Sequence, residues 1–334
     1  DRFLPPQGDN EKGFWEDIDI HALNVEMLTS LGSEWHYLRP IEPSDVAALV
    51  EKGYLSRGIA LIRQKVTGTS AFGFKDPHVI KLLPFWKTVF SRCHLQVGYV
   101  LVVRHPRSVA KSLAARDGIE VEKSYLVWLG HLITSLAGTA GEERVVVDYD
   151  SLMGSPEREL KRIAADLDFE FQPAELQCYR SEFLDVNMRH TVYDLRDLAS
   201  DDACPPLARE IYSTLLDLVS SGAKINDVAL QSNVDRWLAE FIRMKPSLTL
   251  LDRLYLDKAA AKQTLVERDE RIIQLEQAVA ERDEQIEDFK QTLAKRDTDI
   301  KYIIQDLDDR DRQILGLNFD LGKLRNSSSW RITI

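Results

Sequence analysis

Arg104 and Ser112 stand eight positions apart in YVLVVRHPRSVAKSLAAR, residues 99–116. Residues 97–103 form a short apolar run rich in β-branched side chains, the composition of a strand buried on both faces. From Val109 the apolar residues recur at helical spacing, and Pro106 suits a first helical turn, where no amide hydrogen is needed. Strand, loop and helix therefore follow in order, and they put Arg104, Arg107 and a helix N-terminus at the carboxyl end of a strand. Open α/β sheets bind anions there. Arg104 closes the strand and Ser112 lies about two turns into the helix, so both can reach one phosphate. A second basic strand end is expected at Lys75, because residues 71–74, Ala-Phe-Gly-Phe, read as a short strand leading into Lys75-Asp76-Pro77-His78. In a parallel sheet Lys75 faces the same edge as Arg104. Asp before Pro equally suits a plain turn.

Positioning these residues takes an α/β domain, and the 334-residue chain is long enough for one plus an appendage. Its 44% apolar and 29% charged residues are ordinary for a folded chain. The net charge of −11 makes nucleic acid a poor main partner. Cys93, Cys178 and Cys204 are widely spaced, which indicates neither a disulfide framework nor a zinc site and fits a reducing cytoplasm. No uncharged apolar run reaches bilayer length, and no signal peptide is visible. The chain starts at Asp1 and stops after Ile334, and it is expected to be a fragment of a longer protein.

In order along the chain, a helix is expected over 18–31, after the cluster Phe14-Trp15-Glu16-Asp17. A second is expected over 45–66, capped by Ser44 and broken at Gly53 or Gly58. Then come the 71–74 strand, a helix broken near Pro84, the central strand with its phosphate helix, and a buried helix over 121–139. A strand at 144–147 leads to Tyr149 and to a helix with Pro156 at its first position. Helical spacing resumes from Pro205 to Lys245, and Pro246 is expected to end it.

These segments resemble the sulfotransferases that use 3′-phosphoadenosine-5′-phosphosulfate as donor. Strand-R-x7-S followed by a helix is similar to their 3′-phosphate-binding segment, which implies that Arg104 and Ser112 hold the 3′-phosphate. Asn10, Lys12, Gly13, Phe14, Trp15, Glu16 and Asp17 resemble the N-x-K-G-[FYW]-x-E-D stretch of bacterial members, which implies Glu16 as the base that takes the acceptor hydroxyl proton. Acidic residues at a helix start are also simply favourable. The resemblance further implies that Lys75 points at the sulfuryl group or a donor phosphate, and that Asp76 orients it or binds the acceptor. VVVDYDSLMGSPERELKRIAADL resembles the family's strand-Y-[ED]-D-L-x-x-x-P-helix segment, implying Tyr149 at the adenine; an aromatic there also suits a core. Residues 183–190 resemble a basic loop that closes over the donor, implying Arg189 as a ligand.

The implied fold is a P-loop-nucleotide-kinase-like three-layer α/β domain with a central parallel sheet. The implied activity is sulfuryl transfer from the donor nucleotide to a hydroxyl, on a carbohydrate or cell-surface glycan precursor, with no metal required. One departure is large: the family's first strand and its basic, Gly/Ser/Thr-rich 5′-phosphosulfate loop have no counterpart here. The match begins just after that loop would end, so the loop is expected to lie outside this sequence.

The tail carries the clearest physical pattern. Nine apolar residues, from Leu265 through Ile272 to Leu321, recur every seven positions, and the positions three residues later alternate between Arg and apolar. Arg-Asp pairs at 268–269, 282–283, 296–297 and 310–311 add a fourteen-residue repeat. A strict heptad favours a coiled coil over a solvated single helix, with a second copy of the chain as the expected partner. The expected organisation is a sulfotransferase-like domain over 1–200, a helical extension over 201–256, a coiled coil over 257–325 and a linker over 326–334. A rival to the enzyme is a coiled-coil scaffold carrying a degenerate nucleotide-binding domain.

Overall fold

The computed structural model describes residues 3–5, 13–183, 193–222, 225–226 and 228–326. The chain divides into two units, Asp1–Tyr255 and Leu256–Ile334. Helix α1 (Ile18–Ser30) starts at Asp17, whose carboxylate accepts from the amides of Asp19 and Ile20. Next come α2 (Pro43–Glu51) and α3 (Tyr54–Val66), separated at Gly53, which has φ +84°. Gly58 does not break α3; a Cβ there would sit 3.0 Å from Val89. Ser44 does not cap α2 either: Pro43 takes the first helical position, and Glu42 forms a capping box with Asp45.

Helix α4 (Pro77–Cys93) runs unbroken through Pro84. The lost backbone bond is outweighed by the burial of Leu82, Phe85, Trp86 and Val89 against Ile20, Met27 and Leu28. Residues 71–74 are not a strand. Phe72 and Phe74 stack on each other, and Phe74 packs on Trp86 and Phe90, so side-chain burial fixes this segment without a ladder.

Strand β1 (Gly98–Val103) leads through α5 (Pro106–Asp117) and α6 (Val121–Gly138) to β2 (Glu143–Asp148). The strands pair in parallel, Gly98 opposite Glu143 and Val103 opposite Asp148. Parallel pairing requires such a crossover, and the two helices supply it. Val145 and Val147 are buried on one face of β2 and Val146 on the other. β1 departs from the expected two-sided burial: Val100 and Val102 are 46% and 55% exposed. Among the described residues the sheet has these two strands alone, so the molecule is a mostly helical body with a small parallel sheet. A three-layer domain around a central sheet is not what these residues build, because the expected 71–74 strand is spent on the α4 aromatic cluster.

Beyond β2 lie α7 (Tyr149–Gly154), α8 (Pro156–Asp166), α9 (Pro173–Cys178), a π-turn at Tyr179–Phe183, and α10 (Leu195–Ala199). Helices α11 (Pro206–Ser221) and α12 (Val228–Arg243) then pack Leu207, Ile211, Trp237 and Phe241 into the same core as Tyr125, Trp128 and Ile133 of α6. Pro246 does not end a helix. It lies in the first turn of α13 (Lys245–Asn326), where its missing amide is harmless. Asp252 of α13 accepts from the amides of Leu38 and Arg39, both at 2.8 Å, and so anchors the loop after α1. From Leu265 onward α13 is one continuous helix, and the heptad seam is solvent-exposed along its length. Among the described residues no helix is long and apolar enough to cross a membrane.

Candidate functional site

The segment after β1 is fixed by a few specific polar contacts. His105 is fully buried and caps α5: its Nδ1 accepts from the Arg107 amide, so Nε2 carries the proton and donates to the Asp194 carbonyl. Burial holds this imidazole below its ordinary pKa. The Arg104 carbonyl accepts from Trp128 Nε1 at 3.1 Å, which ties the strand end to α6. The Arg104 guanidinium lies 4.7 Å from the centre of the Tyr149 ring. Tyr149 opens α7 at the end of β2, so the parallel register of β1 and β2 is what joins these two residues. Nearby on α5, Arg107 and Lys111 both lie over the ring of Tyr193, at 4.9 and 5.0 Å.

Beside Arg104 opens a cleft of about 930 Å³, at the upper end of ordinary ligand sites. Its floor is β1 from Val100 to Val103, and Trp128 and His131 of α6 form one wall. Glu16, His21, Lys75 and His78 form the other. Lys75 Nζ donates to Glu16 Oε1 at 2.8 Å; the carboxylate is buried and the ammonium largely exposed. Glu16 Oε2 is also 3.3 Å from His21 Nδ1. A pair of this kind can present a cation at the mouth of a cleft and a carboxylate inside it.

The fold divides the predicted site residues. Glu16, Lys75 and Arg104 share the cleft, and Tyr149 flanks it through Arg104. Ser112 is exposed on α5 and is not part of the lining. Asp76 is buried and caps α4, accepting from the His78 amide at 2.8 Å, His78 Nδ1 at 2.5 Å and Asn24 Nδ2 at 3.0 Å. Burial works against its charge, but the bonds from His78 and Asn24 prevail and lower its pKa. Lys75 therefore takes its carboxylate partner from Glu16 rather than from its sequence neighbour. Asp17, by contrast, is spent on the α1 cap and on Lys65 at 2.6 Å. Arg189 lies outside the described residues.

His21, Trp35, His131 and the Tyr193 cluster were not found by sequence reasoning. They come from the polar faces of helices and from loops, where single His and Trp residues carry no spacing signal. No protein-family model matches the chain, and no curated relative matches it.

Proposed function

We propose that this chain carries the 3′-phosphate half of a donor site for sulfuryl transfer to a hydroxyl, on a carbohydrate or glycan precursor. The observation that carries the proposal is the Arg104–Tyr149 stack at the joined ends of two parallel strands. A guanidinium held by a ring keeps its N–H fork free for phosphate, and the ring can face a base. Among the described residues no carboxylate pairs with Arg104. In this proposal Arg104 is the phosphate contact; Ser112 lies on the helix that follows, outside the cleft lining, and Arg189 lies outside the described residues.

In this proposal Lys75 offsets charge developing on the transferred group, Glu16 receives the acceptor proton, and Asp76 holds the start of α4 that follows Lys75. Sulfuryl transfer asks mainly for positioning and charge stabilisation, which an ammonium–carboxylate pair at a cleft can supply. Donor binding is the part of this proposal that the Arg104–Tyr149 geometry addresses. The test is calorimetry with 3′-phosphoadenosine-5′-phosphate. One charge-assisted bidentate contact is worth about 1.5–3 kcal/mol, so Arg104→Ala should weaken binding roughly 10- to 150-fold. Absence of binding at millimolar nucleotide would remove the proposal.

The exposed seam of α13 favours a second activity, self-association through a coiled coil. Leu265, Ile272, Val279, Ile286, Leu293 and Ile300 are each at least half exposed in the single chain. A second copy would bury them by knobs-into-holes packing, with the Asp beside each seam Arg offsetting its charge. Light scattering on the whole chain should give an oligomer, and Ile286→Glu with Leu293→Glu should give a monomer. A monomeric wild type at tens of micromolar would exclude self-association.

A further inference from the structure

One group of side chains is not exhausted by the proposed donor site. His21 of α1 and Asp76 and His78 at the start of α4 bring one donor atom each to within 4.8 Å of one another. We propose that His21, Asp76 and His78 form a binding site for a divalent transition-metal ion of the zinc class, opening on the cleft.

Four features support this assignment. Two imidazoles and a carboxylate are the donor set that zinc and its neighbours take, whereas magnesium and calcium select oxygen alone. His21 Nδ1 and Asp76 Oδ2 are 3.3 Å apart, about the separation of two ligands on a tetrahedral ion with bonds of roughly 2.0–2.1 Å. His21 Nδ1 is itself buried and has no aligned hydrogen-bond partner, although two carboxylates lie 3.3 Å away. A lone pair in that position suits a cation. Asp76 meets both rings, with His21 Nδ1 3.3 Å from Oδ2 and His78 Nδ1 donating to Oδ1, which leaves the lone pair of His78 on Nε2.

The surroundings are those of a metal site held from outside. Asn24, fully buried, donates to Asp76 Oδ2 at 3.0 Å and accepts from Trp86 Nε1 at 2.8 Å, so its orientation is fixed by the core. Asp76 is further fixed as the α4 cap. All three donors sit at the ends or on the faces of helices rather than on free loops. His21 and His78 line the cleft, which gives an ion its entry path and leaves room for water as a further ligand. Glu16, 3.3 Å from His21 Nδ1, is placed to accept a proton from such a water. The competing arrangement is a purely hydrogen-bonded cluster, with a protonated His21 bridging Glu16 and Asp76.

The experiment uses the whole chain, stripped with chelator, and titrates Zn²⁺ by calorimetry and Co²⁺ by visible absorption. One ion per chain is expected, with cobalt bands of a four- or five-coordinate site. His21→Ala and His78→Ala should each weaken Zn²⁺ binding at least about 100-fold. Asn24→Ala should weaken it roughly 10- to 100-fold by releasing Asp76. Circular dichroism of His21→Ala, a partly exposed position, should match wild type and so separate lost binding from lost fold. No saturable binding at 1 mM Zn²⁺ (about 1 mM marks only some 4 kcal/mol), or binding that both histidine variants leave unchanged, overturns the site. The result is independent of the nucleotide test, which reads Arg104.

Discussion

Replacing His131 by Gln should flatten the acid limb of the stability curve. Nε2 of His131 lies 2.9 Å from the Trp35 carbonyl and donates to it, so the other nitrogen has no proton in the neutral ring. Burial, with the charges of Lys81 and His78, lowers the pKa from 6.5 to about 4, although the bond to Trp35 opposes the shift. The unfolded chain takes up its proton near pH 6.5 and the folded chain only near pH 4. Across that window the unfolded state binds more protons, so stability falls as the pH is lowered. At about 1.36 kcal/mol per pH unit the full gap amounts to roughly 3 kcal/mol. The ring keeps an edge on the cleft, and solvent screening there reduces this to about 2 kcal/mol. Urea unfolding at pH 7 and pH 4.5 measures the difference. The wild type should lose about 2 kcal/mol more than His131→Gln between the two pH values; a loss equal in both proteins would refute the burial argument. His36, also lowered to about 4 by burial, contributes to both and cancels.

Three further outcomes are expected. A Cβ on Gly138 would meet Leu83 Cδ2 at 2.7 Å in the buried contact of α6 with α4, so Gly138→Ala should destabilise by about 1–2 kcal/mol in urea despite its better helix propensity. Asp252→Ala leaves two amides and the buried Lys81 without its charge; a loss of roughly 2–4 kcal/mol is expected by thermal unfolding, and under 1 kcal/mol would show that the anchor is dispensable. Lys75→Met leaves the buried Glu16 carboxylate without its ammonium partner, and a loss of about 1–3 kcal/mol is expected by urea unfolding; an unchanged midpoint would show that the pair is dispensable.

Much of the helical layout was legible because burial stripes repeat at helical spacing, as at Tyr125, Trp128, Leu129 and Ile133 of α6. The β1–α5 transition was legible for a different reason: Pro106 and the abrupt change of polarity after Val103 mark it locally. Residues 71–74 were misread because Phe-Gly-Phe alternates as a strand does, and only the tertiary position of Trp86 and Phe90 shows the rings packing on a helix. Pro84 and Pro246 misled for the same reason, since a proline's effect depends on packing and on its place in the turn. The cleft was half legible. Arg104 and Lys75 could be named from their neighbours in sequence and Glu16 from the resemblance, but the partnership of Lys75 with Glu16, 59 positions away, and the place of His21 in the lining needed the fold.

The central claim is that Arg104 reads a 3′-phosphate. It is tested most directly by comparing adenosine 3′,5′-bisphosphate with adenosine 5′-monophosphate on wild type and Arg104→Ala by calorimetry. Wild type should prefer the bisphosphate by roughly 10- to 150-fold, and the variant should lose most of that preference while binding the monophosphate as before. Equal binding of the two nucleotides by wild type, or a preference that survives Arg104→Ala, would contradict it.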